Sequence, residues 1–174
     1  HLFYDAALQA MFDQMRFKMI VLLRDPRDLV VSHAKYIAQL QRHILYHRYT
    51  AELHDDDARL MASIRGLPQR TGQPGLLDVG LRLRRFQPWL DRPRTLTCRF
   101  ETLVGPQGGG SRKLQRAAIE SVLHFIDRPL DPTRVDALAQ RLWSPGSATF
   151  RKGVIGDWRN HFTPAHVEAF KQIA

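Results

Sequence analysis

The run Met19–Leu23 is short and wholly apolar, and it constrains the fold more than any other part of the sequence. A strand that is buried on both faces of a parallel sheet has this pattern. After Arg24, Asp25 is a good helix N-cap and Pro26 is a good first helical residue. The sequence therefore predicts a strand, a tight turn and a helix, the unit from which α/β domains are built.

Hydrophobic periodicity along the rest of the chain extends this prediction. We predict a second strand over Thr95–Phe100 and helices over residues 5–16, 58–64, 76–90, 113–126 and 131–143. The pattern weakens from His43 to Gly75, which predicts a surface excursion around one short helix. The stretch 144–160 is predicted to be irregular. We expect an α/β fold with a mainly parallel sheet flanked by helices, in a single domain over residues 1–174.

The composition indicates an anionic partner. The chain has 26 Lys and Arg residues against 17 Asp and Glu residues, a formal net charge of +9. A nucleotide, a polysaccharide, nucleic acid or a membrane surface fits such a charge. Cys98 is the only cysteine, which excludes an internal disulfide and a cysteine-built zinc site and fits a reducing compartment. No apolar run approaches the roughly 20 residues of a membrane-spanning helix, so we expect a cytoplasmic protein without a membrane partner.

Both ends of the sequence suggest a longer natural polypeptide. The chain opens with His1 rather than Met, and it stops inside an amphipathic pattern formed by Pro164, Val167, Phe170 and Ile173. We expect the domain to be incomplete at both ends, with residues 1–174 forming its later portion.

The first candidate binding motif follows the predicted strand. Arg24 lies at the carboxyl end of Met19–Leu23, where ligands gather in parallel sheets. Ser32 falls on the same helical face as Asp28, so its hydroxyl and the Arg24 guanidinium can meet one phosphate. The alternative is an exposed Arg24–Asp28 ion pair with a solvated Ser32.

The second candidate motif lies near the end of the chain. Arg151 and Lys152 precede Gly153, whose lack of a Cβ lets backbone amides approach an anion closely. Trp158 and Phe162 are placed to anchor this turn to the core. The alternative is a basic surface loop held by ordinary aromatic packing.

Together the two motifs resemble the sulfotransferases that use 3′-phosphoadenosine 5′-phosphosulfate (PAPS), whose fold is similar to that of P-loop nucleotide kinases. The resemblance implies that Arg24 and Ser32 contact the 3′-phosphate. It implies that Arg151, Lys152 and Gly153 close over the same phosphate. The family's late RKG-x-x-GDW-x-x-x-F pattern is completed by Gly156, Asp157, Trp158 and Phe162.

A third stretch, Arg99–Leu103, is similar to the family's Tyr-Glu-Asp-Leu motif at a strand end. Phe100 replaces the tyrosine, which keeps a ring for stacking near the adenine and removes a hydrogen bond. The Gly-Pro-Gln-Gly-Gly-Gly-Ser run over 105–111 and the opening His1-Leu2-x-Tyr4 are similar to a bacterial branch of the family.

The resemblance also implies a catalytic base. In the family a histidine that precedes the strand of the 3′-phosphate motif takes the acceptor proton, and His1 has the matching position. The alternative is that His1 is a cloning remnant. The family's phosphate loop, whose Lys contacts the 5′-phosphosulfate, is expected before His1, so the fragment alone is expected to lack part of the reactive centre.

The function that the resemblance implies is transfer of a sulfuryl group from PAPS to a hydroxyl or amine of a small-molecule or glycan acceptor. Adenosine 3′,5′-bisphosphate (PAP) is then the product, and we expect neither a metal nor a nucleic-acid partner. Two alternatives stay open: a noncatalytic module that binds anions or nucleic acid, and a P-loop kinase fragment that uses ATP. The oligomeric state and the acceptor are not predicted.

Two further clusters have a functional and a structural interpretation. His43, His47 and His54 with Asp55–Asp57 form either a metal site or a solvated loop, and the solvated loop is favoured. The arginines from 82 to 94 form either a basic patch for an anionic acceptor or nucleic acid, or a solvated helix face; they are Arg82, Arg84, Arg85, Arg92 and Arg94. His33 is interpreted as a packed or capping histidine.

Overall fold

A computed structural model describes residues 3–147 and 150–173, which form helices and one two-stranded parallel sheet. In chain order the strands and α-helices are α1 (Ala6–Gln14), β1 (Met19–Leu23), α2 (Pro26–Gln39), α3 (Asp56–Arg65), α4 (Val79–Phe86), β2 (Thr95–Arg99), α5 (Phe100–Leu103), α6 (Arg112–Phe125), α7 (Pro132–Leu142) and α8 (Pro164–Ile173). Short 3-10 helices cover Gln87–Trp89, Pro106–Gly108 and Asp157–Asn160, and a π-helix covers Arg48–Glu52. In this part of the chain no helix has both the length and the apolar character needed to cross a bilayer.

The sheet aligns the ends of its two strands. β1 and β2 are parallel, with Met19 opposite Thr95 and Leu23 opposite Arg99. Both strands therefore end at the same edge, and the residues that follow them are neighbours. The α/β prediction with a parallel sheet is confirmed, and β1 has the predicted bounds.

The chain divides into two compact units. The first comprises His1–Asp25 and Arg85–Ile155, and it contains the sheet. In this unit α5 and α6 pack against β2, while Ile119, Leu123 and Val135 form a buried cluster between α6 and α7. The prediction of a single domain stays a prediction.

The second unit comprises Pro26–Arg84 and Gly156–Ala174, and it is helical. Its helix α3 packs against α2 and against α8. One core cluster is apolar and includes Val30, Ile64 and Ala169. A second cluster surrounds Ile37 and Tyr49, which are both fully buried.

The short helix predicted inside the stretch from His43 to Gly75 is confirmed as α3. The prediction that the chain before this helix lies at the surface is wrong, because part of it is buried in the second unit. Leu45 and Tyr49 are buried, and so is Arg48, at 2% exposure. The Arg48 Nη1 atom donates to the carbonyl oxygens of Pro68 at 2.8 Å and Pro74 at 2.9 Å. A charged residue that is buried against backbone carbonyls breaks the apolar periodicity on which the prediction relied.

The helix predicted over 76–90 is shorter in the structure. α4 ends at Phe86, and the chain continues as the 3-10 helix Gln87–Trp89. Pro88 explains the change, since proline lacks the N–H that an α-helix would use at this position. Trp89, in this 3-10 helix, is buried.

Two arginines of the predicted basic patch point inward. In the second unit, Arg82 donates through Nη2 to the Ser63 carbonyl oxygen. In the first unit, the side chain of Arg92 is 0% exposed and its Nη2 lies 2.7 Å from Asp13 Oδ1. The prediction that Arg82 and Arg92 contribute to an exposed patch is therefore wrong.

Candidate functional site

Arg24 directly follows β1 and meets the late basic segment within the first unit. Its Nη2 atom donates to the Val154 carbonyl oxygen at 3.1 Å. Its guanidinium carbon lies 4.2 Å from the centroid of the Phe100 ring, at the start of α5. The structure thus brings Arg24 next to the backbone that follows Arg151, Lys152 and Gly153.

Glu101 contacts the turn that carries Arg24. Its Oε1 atom accepts a hydrogen bond of 2.7 Å from the Asp25 backbone N–H. This bond joins the residues that follow the two parallel strands. In the sequence analysis Glu101 is only part of a motif match, and this hydrogen bond is not predicted. An acidic residue just after a predicted strand is the signal that could have identified it.

The segment from Phe150 to Ile155 is anchored on two sides. Trp143 Nε1 donates to the Gly153 carbonyl oxygen at 3.1 Å, and the Ile155 N–H donates to the Gly108 carbonyl oxygen at 2.9 Å. Gly153 has a φ of 62°, and a Cβ at this position would lie 2.6 Å from the Phe150 ring. Glycine is therefore needed here both for its backbone conformation and for space.

The basic side chains of this segment differ in exposure. Lys152 is exposed, whereas Arg151 is half-buried. An exposed ammonium and a guanidinium with a positive-φ glycine beside them are a suitable donor set for a phosphate. Ala148 and Thr149, which precede the segment, lie outside the described residues.

Ser32 and Asp28 lie on α2, in the second unit. Ser32 is half-buried. Asp28 is fully buried rather than exposed, and it accepts hydrogen bonds from the backbone N–H groups of Gly156 at 2.7 Å and Trp158 at 2.9 Å. Asp28 thus accepts from the N-cap residue and from the second residue of the 3-10 helix Asp157–Asn160.

Trp158 connects this turn to the core of the second unit. Its ring lies 4.1 Å from the Arg27 guanidinium carbon and 5.4 Å from the Phe162 ring. Both aromatic rings pack against the cluster that contains Val30 and Ile64. Trp158 and Phe162 thus lie in the core of the second unit, and their predicted role in anchoring the turn at Gly153 stays a prediction.

His33 belongs to a polar network that also joins Ser63, Tyr49 and Arg82. Ser63 Oγ lies 3.3 Å from His33 Nδ1 and 2.9 Å from the Tyr49 hydroxyl, and Arg82 Nη1 lies 3.4 Å from His33 Nδ1. Burial, together with the charge of Arg82 and the proximity of His43, lowers the pKa of His33 to about 3. A guanidinium only donates, so His33 Nδ1 accepts and the ring proton lies on Nε2.

The predicted base, the candidate metal site and the single cysteine remain to be placed. His1, the predicted base, lies outside the described residues. Within residues 3–147 and 150–173, no three His, Cys, Asp or Glu side chains are placed to hold a metal ion. Cys98 is buried, and burial raises the pKa of its thiol. A buried thiol with a raised pKa is poorly reactive.

No family model matches the sequence. Two curated guinea pig proteins (Cavia porcellus), a 3-beta-hydroxysteroid sulfotransferase and a 3-alpha-hydroxysteroid sulfotransferase, are each 23% identical to the chain over 185 residues. Each alignment covers 93% of this chain and 56% of the relative. The chain therefore spans about half the length of the curated relatives it matches.

Solved structures share the fold. Mouse sulfotransferase SULT7A1, crystallised with PAP, has a TM-score of 0.68 and 17% identity, over 94% of this chain and 59% of that chain. Retinol dehydratase, solved with androsterone and the inactive cofactor PAP, has a TM-score of 0.62 and 19% identity, over 89% of this chain and 45% of that chain. These likenesses show the P-loop-like sulfotransferase fold, and with the curated relatives they support the sulfotransferase family.

Proposed function

We propose that this chain is the later part of a sulfotransferase that moves a sulfuryl group from PAPS to a hydroxyl or amine. In the reaction, the acceptor oxygen or nitrogen bonds to the sulfur. The bond between sulfur and the 5′-phosphate oxygen breaks, and PAP leaves with the electron pair. His1 takes the acceptor proton. No metal takes part in this proposal.

The observation that supports the proposal most directly is the hydrogen bond from Arg24 to the Val154 carbonyl oxygen. Two basic segments that lie far apart in the sequence meet beyond the carboxyl ends of parallel strands, where nucleotides bind in this class of sheet. We assign Arg24, Arg151, Lys152 and Gly153 to the 3′-phosphate. Ser32 is assigned to the same phosphate from the family resemblance.

The surface of the chain favours a nucleotide over a nucleic acid as the anionic partner. Arg82 and Arg92 are held in internal contacts, which weakens the basic patch that a nucleic-acid-binding module would need. The acceptor is proposed to be a small molecule or a glycan; the curated relatives are named for hydroxysteroids. A cytoplasmic location and a bacterial origin stay predictions.

Thermal unfolding with added ligands tests the proposal. PAP at about 100 times its dissociation constant adds about 2.7 kcal/mol to the free energy of unfolding, which raises the melting temperature by about 5–10 °C for a chain of this size. Adenosine 5′-monophosphate (AMP) and ATP should raise it less, because they lack the 3′-phosphate.

The competing functions give different results. Stabilisation by ATP without stabilisation by PAP would indicate a kinase fragment. Tight binding to heparin or DNA that is lost steeply with salt, with no response to PAP, would indicate an anion-binding module. Either result would overturn the proposed function.

A further inference from the structure

Two successive residues at the start of α5 hold the two successive residues that follow β1. The Phe100 ring lies under the Arg24 guanidinium, with 4.2 Å between the ring centroid and the guanidinium carbon. The Glu101 carboxylate accepts the Asp25 N–H at 2.7 Å. All four residues belong to the first unit. The side chain and the backbone of the Arg24 turn are thus both contacted by one short helix.

Glu101 is half-buried, and one oxygen of its carboxylate is out of contact with water. Its Oε2 atom is buried and accepts no hydrogen bond from the described part of the chain. A buried carboxylate oxygen without a donor is unfavourable, so the bond from Asp25 to Oε1 has to compensate for the burial of the group. A bond of 2.7 Å between an amide and a carboxylate is at the strong end of hydrogen bonds to charged groups.

We infer that Glu101 is a positioning residue for nucleotide binding: its bond to the Asp25 amide fixes the turn that aims Arg24 at the 3′-phosphate. This inference rests on the proposed function. Glu101 does not touch the phosphate, since two anionic groups in contact would repel each other. It acts through Arg24, whose guanidinium has to be held in place before the ligand arrives if the full affinity is to be realised.

The Asp25 amide lies at the junction between the turn and α2. Pro26, the first residue of α2, has no backbone N–H. The Asp25 amide is therefore the last backbone donor before the helix. Without an acceptor for this amide, the backbone of the turn gains conformational freedom, and the position of the Arg24 side chain is less well defined.

Three substitutions separate the hydrogen bond from the charge. Glu101→Gln keeps a side-chain oxygen that accepts the Asp25 N–H, whereas Glu101→Ala removes it. Glu101→Asp keeps the charge but is one methylene too short to make the same bond. Glu120→Gln on α6 is the matched control, since it removes a half-buried carboxylate from the same unit.

Calorimetry with PAP and with AMP is the first measurement. We expect Glu101→Ala and Glu101→Asp to weaken PAP binding about tenfold, because Arg24 then has to be ordered when the ligand binds, and to leave AMP binding unchanged. Glu101→Gln and Glu120→Gln should bind both ligands as the parent chain does. A role in stability alone would not change the preference for PAP over AMP. If the alanine variant does not fold, the aspartate variant carries the same test.

Hydrogen exchange at the Asp25 amide is the second measurement and needs no ligand. The amide should be protected in the parent chain and in Glu101→Gln, and should exchange faster in Glu101→Asp. Unchanged PAP affinity in Glu101→Ala and Glu101→Asp, or a loss in Glu101→Gln as large as in Glu101→Asp, would overturn the inference. A parent chain that binds PAP no better than AMP would overturn the proposed function, while the exchange result would still report on the bond.

Discussion

Replacing Arg24 by Ala should weaken PAP binding by about tenfold to a hundredfold. A hydrogen bond to a charged group contributes about 1.5–3 kcal/mol, and each 1.4 kcal/mol is a factor of about ten in affinity. Arg24 is already held by the Val154 carbonyl oxygen and the Phe100 ring. Little side-chain freedom is lost when the ligand binds, so we expect the upper half of this range.

The Arg24→Lys variant separates charge from shape. Lysine keeps the positive charge and can lie over the Phe100 ring, but it lacks the planar fork that meets two phosphate oxygens at once. We expect its affinity for PAP to fall between the affinities of the parent chain and of Arg24→Ala. Arg134→Ala is the control for net charge, because Arg134 is an exposed residue of α7 in the same unit.

The assay is isothermal calorimetry with PAP and with AMP at about 0.15 M ionic strength, where charges more than about 8 Å apart are largely screened. Arg24→Ala should lose affinity for PAP and keep its weaker affinity for AMP. Circular dichroism checks that each variant is folded. Two results would refute the reasoning: Arg24→Ala binds PAP as the parent chain does, or Arg134→Ala loses as much affinity.

Two further predictions concern the glycine of the basic segment and the neutral histidine. Gly153→Ala should lower the free energy of unfolding by about 1–2 kcal/mol and weaken PAP binding, because its Cβ would lie 2.6 Å from the Phe150 ring at a φ of 62°. Urea unfolding and calorimetry measure the two effects. Neither should change in the control Gly146→Ala, whose Cβ meets no atom within 4 Å. The pKa of His33 is lowered to about 3 from 6.5, so the unfolded chain takes up this proton first as the pH falls. The free energy of unfolding should therefore rise with pH between about 3 and 6.5, by up to about 1.4 kcal/mol per pH unit from this group, and then level off. This dependence on pH should be weaker in His33→Phe than in the parent chain. An equal dependence in both proteins would contradict the assignment.

Local sequence patterns predict much of the first unit. β1 and β2 are both predicted, because a strand that is buried in a sheet appears in the sequence as a short apolar run. The meeting of Arg24 with the segment around Gly153 was expected from family resemblance and not from spacing, since no local pattern reports a contact between residues so far apart. The site roles stay predictions.

The second unit is harder to predict from sequence for a physical reason. Arg48 and Arg82 donate to backbone carbonyl oxygens inside the second unit, and a hydropathy pattern counts them as surface residues. The same limitation hides Asp28, which is fully buried because it accepts two backbone N–H groups. Such contacts depend on the tertiary fold, so the burial and the hydrogen-bond partners of these residues cannot be predicted from the local sequence.

The two hydrogen bonds that Asp28 accepts can form only late in the synthesis of the chain. Asp28 and Gly156 are 128 residues apart, and ribosomes add about 5–20 residues per second, so Asp28 emerges on the order of ten seconds before its partner. During that interval its carboxylate is hydrated and the second unit lacks its final helix. The helical unit is consequently completed last, and a ribosome-bound chain that has not yet released Gly156 and Trp158 should be more susceptible to protease within α2 than the finished protein.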